Sequence, residues 1–140
     1  RLINPASGWL DVGAEAGDVM DIHSYPGPDK PDMEEVRVAV LGEFGGQALA
    51  MPEHMWVQDL EKAPTHFETS KTRENLQKEY RGLYEKLYPL IEEGLAAAVY
   101  TQTTDVESEV NGLMTYDREV IKMDLDTLKA IHEETYRRME

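Results

Sequence analysis

The stretch Val36-Arg37-Val38-Ala39-Val40-Leu41-Gly42-Glu43-Phe44 constrains the fold more than any other. It is apolar almost throughout and rich in β-branched residues, so it reads as a strand covered on both faces, as strands of a parallel sheet are. A carboxylate, Glu43, interrupts it at the C-terminal end. The rest of the chain can be laid out around that strand. Upstream, Val19 to Tyr25 is a second extended stretch closed by Pro26-Gly27-Pro28, and period two puts Val19, Asp21, His23 and Tyr25 on one face. Before it, Arg1-Leu2-Ile3-Asn4 reads as the end of a strand entering a loop at Pro5 and Gly8.

Downstream, Gly45 to Ser70 holds Met51, Pro52, Trp56, Pro64 and Phe67 without a sustained period, which predicts a long βα loop over an active site. From Thr72 to Glu93, residues Leu76, Tyr80, Leu83, Leu87, Leu90 and Ile91 recur at helical spacing. Glu74 suits that helix's first turn, Gly94 its C-terminal cap, and Pro89 predicts a kink. Ala96 to Thr101 reads as a short buried strand, and Gly112 to Arg118 as a small turn-bounded excursion. Asp124 caps a last helix with the stripe Leu125, Leu128, Ile131 and Tyr136. This order predicts an α/β fold with a parallel sheet and right-handed crossovers.

Length and charge narrow the function classes. The 140 residues make one domain, or a piece of one, and fall short of the roughly 250 of a complete (β/α)₈ barrel. With 41% hydrophobic and 30% charged residues, a folded core is expected. A net charge of −14 repels phosphate backbones and anionic membranes, so nucleic acid is excluded as a partner. No apolar run approaches the roughly 20 residues that span a bilayer. Without cysteine there is neither a disulfide framework nor a thiolate metal site. The chain begins at Arg1 rather than Met, so its true start is expected upstream.

Reactive groups collect at the carboxyl ends of parallel strands, where loops shape a pocket. Those ends present His23 with Tyr25, then Glu43, then Tyr100 with Gln102. A carboxylate, phenol, imidazole and amide on one rim suit a hydroxyl-rich substrate such as a sugar. Each residue also has a plainer reading. Glu43 could cap a helix or pair with Arg37 or Arg118. His23 could be a satisfied structural histidine. Asp21 and His23 could be ligands of a metal-dependent barrel hydrolase, but a third ligand at a recognisable spacing is missing. Trp56 either stacks on a sugar or plugs its own loop. The tyrosines and leucines between Thr72 and Glu93 read as packing.

Gly42-Glu43-Phe44-Gly45 after Val-Ala-Val-Leu is similar to the Glu-Tyr/Phe-Gly signature that closes the seventh barrel strand in glycoside hydrolase family 2, the β-galactosidase and β-glucuronidase group. Asp18 to Tyr25 resembles the sixth strand, Arg1 to Asn4 falls on the fifth, and Ala97 to Tyr100 resembles the eighth. Asn111 to Arg118 resembles the Gly-Ile/Leu-hydrophobic-Thr-x-(Asp/Gln)-Arg turn that follows. The resemblance implies the C-terminal half of a TIM barrel over residues 1–140, strands five to eight, with a long loop after strand seven. It implies a retaining β-glycosidase without cofactor or metal, Glu43 its nucleophile and Tyr25 the residue that orients it. His23, Asp21, Tyr100, Gln102 and Trp56 then fall to substrate binding. Retaining glycosidases need a second carboxyl about 5–5.5 Å from the first. The family's Asn-Glu acid/base pair would lie upstream of Arg1.

Two departures bear on the substrate. Tyr100 stands where many members have Trp, implying a smaller, more polar subsite floor. Glu109-Val110-Asn111-Gly112 occupies the place of the Asn-x-Lys element that grips a sugar carboxylate, which argues against a glucuronide. The isolated half is expected to be inactive and to need the missing N-terminal half, or to self-associate through exposed sheet edges. A non-catalytic carbohydrate-binding fragment is the remaining alternative. A secreted or periplasmic location would suit the parent enzyme.

Overall fold

The computed structural model describes residues 1–8, 10–11, 16–58 and 70–139. Among them, β1 (Val19–Ser24), β2 (Val38–Gly45) and β3 (Ala97–Thr101) form one parallel sheet in the order β1-β2-β3. The apolar run is its central strand, hydrogen-bonded on both sides. Two helices follow from the chain between and after the strands, α1 (Arg73–Glu92) and α2 (Leu125–Arg137).

Helix α1 starts where Thr72 turns its hydroxyl onto the Asn75 N–H, 3.1 Å away. It runs through Pro89 in its last turn and stops at Glu93, after which Gly94 adopts a left-handed φ of 103°. The face made by Leu76, Tyr80, Leu83, Tyr84 and Leu87 is buried against Ala39, Leu41 and Phe44 of β2. Helix α2 is capped by Asp124, which accepts from the Thr127 N–H at 2.8 Å. Of its expected stripe, Ile131 is buried and Leu128 partly so, while Leu125 and Tyr136 are exposed. Contacts to α1 replace them: His132 Nε2 lies 2.8 Å from Tyr80 Oη, and the Arg138 guanidinium sits over the Tyr88 ring.

The sheet carries an irregularity that decides where its side chains point. Ile22 of β1 pairs with Leu41, but the next residue, His23, pairs with Glu43, so Gly42 is an extra residue bulging from β2. Strict alternation after Ala39 and Leu41 would send Glu43 to the helix side. The bulge sends Phe44 there instead, 1% exposed, and turns Glu43 to the opposite face with His23. A glycine is required at the bulge, because a Cβ on Gly42 would collide with the Asp21 carboxylate, which accepts the Gly42 N–H at 2.7 Å.

The barrel-half expectation is overturned. Strands five to eight would make four strands, yet the sheet has three, with two helices, among the described residues. The missing one is Arg1-Leu2-Ile3-Asn4. These residues form no strand; Leu2 is 80% and Ile3 58% exposed. Among the described residues they are tied by the reciprocal bonds of Ile3 with Asp18 and an Asn4 bond to Asp21, too few to make a sheet ladder. The architecture is therefore a small parallel sheet with helices over one face, and not strands five to eight of a closed barrel. Part of the expected loop after the central strand, including Pro64 and Phe67, lies outside the described residues. No described helix is long and apolar enough to cross a membrane.

Candidate active site

The open face of the sheet gathers its polar groups at the carboxyl ends of the strands. Tyr25 follows β1 directly, and its hydroxyl donates to Glu43 Oε2 at 2.6 Å. With that proton committed, the Tyr25 oxygen accepts from Thr101 Oγ1 of β3, 2.8 Å away. The three strands are thus stitched together at one rim by a Thr-Tyr-Glu chain. His23 Nδ1 lies 3.2 Å from the same Glu43 oxygen, and its Nε2 lies 3.2 Å from Ser7 Oγ. Both groups meet Oε2, so Oε1 has no protein hydrogen bond among the described residues. The Glu43 side chain is 42% exposed on that face.

Burial, followed by the bond to the Glu43 carboxylate, pushes the Tyr25 hydroxyl well above the usual phenol range. The phenol therefore stays protonated and remains a donor to Glu43 at any physiological pH. Short charge-assisted bonds of this kind hold a carboxylate in one orientation. Arg37, the alternative partner for Glu43, is instead buried with Asp11 at 2.8 Å and Glu34 at 2.5 Å.

Other expected site residues are placed differently. Asp21 lies on the same face but is buried, one oxygen taken by the Gly42 N–H and the other by Asn4 Nδ2 at 2.6 Å. It props the bulge from below. Tyr100 faces the helices: its ring meets Phe44 edge-on at 5.6 Å and Tyr80 at 4.8 Å. Gln102 stands just past β3, donating to Glu109 Oε2 at 2.8 Å and Asn111 Oδ1 at 2.7 Å. Trp56 is 66% exposed on the segment after β2. Among the described residues, no three His, Cys, Asp or Glu side chains converge as a metal site.

Two residues of this rim were not anticipated. Thr101 stands beside the larger Tyr100, and since neighbours on a strand face opposite ways only one of them can reach Tyr25. Glu109 adds a second carboxylate near the first, close enough for its charge to oppose proton loss from Tyr25. Its loop rests on an enclosed ion pair: Lys122 Nζ donates to Asp105 Oδ1 at 2.6 Å and to the Val110 carbonyl at 2.9 Å. Desolvation pushes the Lys122 amine down and the Asp105 carboxyl up, so removing either partner leaves a buried group unmatched. Compared with known proteins, the chain matches no family model and no curated protein.

Proposed function

We propose that this chain carries the nucleophile of a retaining β-glycosidase, and that the nucleophile is Glu43. The observation that carries the reading is the pairing of Glu43 Oε2 with the Tyr25 hydroxyl at 2.6 Å, while Oε1 has no protein donor among the described residues and the side chain is 42% exposed on a polar face. A carboxylate held by one oxygen presents the other for attack on an anomeric carbon. In the first step Glu43 Oε1 bonds to that carbon as the bond to the aglycone oxygen breaks. In the second, water displaces the carboxylate and the sugar leaves with its configuration retained. The tyrosine, unable to ionise, keeps the carboxylate aimed through both steps.

The acid/base carboxyl is assigned to a segment outside residues 1–140, as the resemblance to glycoside hydrolase family 2 implies. It protonates the departing aglycone and then activates water, a contribution of about 10²–10⁴-fold. Glu109 is assigned to sugar recognition with Gln102, to which it is tied. With Glu43 and Glu109 on one rim, an uncharged sugar is favoured over a uronic acid.

The test uses a 2-deoxy-2-fluoro glycoside with a dinitrophenolate leaving group, which departs without a proton donor. Incubated with this chain and with the longer protein the reading calls for, it is expected to esterify Glu43, found by mass spectrometry of the peptide containing Gly42 to Gly45. Glu43→Gln should remove both the label and hydrolysis in the longer protein. Label on another residue, or hydrolysis at the wild-type rate by Glu43→Gln, rejects the assignment.

A further inference from the structure

The described residues that follow β2, 46–58, run beside the segment after β3, tied to it at successive points along the chain. Gly46 N–H donates to the Thr101 carbonyl at 3.0 Å, and Leu49 N–H to the Val110 carbonyl at 2.9 Å. Farther out, His54 Nδ1 meets Asp117 Oδ2 at 2.8 Å. The track ends where the Trp56 ring meets the Tyr116 ring edge-to-face, centroids 5.5 Å apart and planes at 90°. It begins at Thr101, the partner of Tyr25, and so leads from the candidate nucleophile to an aromatic corner on the same rim.

That corner is built, yet it is not a core. Trp56 is 66% and Tyr116 37% exposed. A tryptophan that only plugged its own loop would be covered; the buried plug here is its neighbour Met55, 5% exposed. The frame behind the pair is well tied. Asp117 accepts from Thr115 Oγ1 at 2.6 Å as well as facing His54, and Gln58 Nε2 donates to the Met55 carbonyl at 2.6 Å. Rings in an edge-to-face pair keep ring surface uncovered, and a flat apolar surface bordered by imidazole and carboxylate suits the C–H face of a pyranose with its equatorial hydroxyls. Nucleic-acid bases would also stack there, but a chain of net charge −14 repels their phosphates.

We infer that Trp56 and Tyr116 form a second sugar-binding position on the rim that carries Glu43, so that the ligand is an oligosaccharide or polysaccharide and not a simple glycoside. The inference rests on the glycosidase reading for the identity of the ligand. Its test is separable from that reading because it measures binding without turnover.

The chain is run by native electrophoresis through gels containing soluble β-glucan, xylan, galactan or arabinan. At least one polymer is expected to retard the wild type. Trp56→Ala and Tyr116→Ala should each weaken that retardation on the order of tenfold, Trp56→Phe should keep part of it, and all should retain the wild-type circular dichroism. The dependence on Trp56 and Tyr116 should persist in a Glu43→Gln background whatever becomes of the nucleophile assignment, and Lys129→Ala, an exposed residue of α2, should bind as the wild type does. No retardation by any polymer, or equal retardation of the wild type and both alanine variants, overturns the inference. Loss of binding in Glu43→Gln alone also overturns it, since the sugar would then be held at the carboxylate and not at the aromatic pair.

Discussion

The two faces of the sheet are made by the same three strands and have opposite characters. Toward the helices, Ala39, Leu41 and Phe44 meet Tyr80, Tyr84, Leu83 and Leu87 in a sealed apolar cluster that Tyr100 joins. On the other face, Asp21, His23, Glu43 and Thr101 gather with Tyr25 at the strand ends, joined by hydrogen bonds and open to solvent at Glu43. The difference does not come from composition, because Glu43 and Phe44 are neighbours. It comes from one extra residue, Gly42, which reverses the alternation late in β2. Apolar packing is concentrated on one face and hydrogen-bonded polar groups on the other.

If the faces are divided in this way, the largest effect on stability belongs to the helix side. Phe44→Ala removes a side chain 1% exposed among Tyr84 and Tyr100 and should cost about 3–5 kcal/mol in chemical denaturation. Glu43→Gln, one residue away, should leave the denaturation midpoint nearly where it was. Comparable losses in the two variants would erase the distinction.

The bulge itself is the next place to press. Gly42→Ala sets a methyl group against the Asp21 carboxylate, and overpacking of this kind costs about 1–3 kcal/mol. More telling than the stability is the chemistry: the strand must shift to make room, Glu43 should lose its register with His23 and Tyr25, and fluoroglycoside labelling should slow sharply. A destabilised variant that still labels at the wild-type rate would mean that the bulge does not aim the carboxylate.

Much of this was legible in the sequence, and the reasons for the rest are physical. Helical spacing and caps located α1 and α2 to within a residue or two, because Thr72, Gly94 and Asp124 each satisfy or terminate a backbone for a local reason. The central strand was evident from its apolar run. Period two also placed His23 and Tyr25 together, since β1 stays regular up to its last residues. What alternation could not give was the face of Glu43, which a bulge at the preceding residue inverted. Gly42 inside a strand pattern was the available signal. Tyr100 was misplaced because Ala97-Ala98-Val99 offers no polar alternation to tell its faces apart. The first residues misled in another way: Leu2 and Ile3 are apolar enough for a strand, but a strand requires a partner, and theirs is not among the described residues.

The smallest expected effect distinguishes what holds the two faces. The helix side is held by apolar contact and should respond little to acid. The rim beyond Glu43 is fastened by Asp117, whose carboxyl is kept down at about 2 from its ordinary 3.8, first by the Thr115 hydroxyl and then by His54. A carboxyl with its folded pKa below the unfolded one stabilises fully above the unfolded value. That contribution fades as the pH falls from about 3.8 toward 2. Asp117→Asn should therefore differ from the wild type at pH 6 and converge with it at pH 2. The site is exposed and screened, so the shift in overall stability should be small. The sharper readout is the Trp56 indole N–H resonance, which should move with this titration in the wild type and stay still in Asp117→Asn. A resonance that titrates equally in both would mean that Asp117 does not fasten the aromatic corner to the sheet.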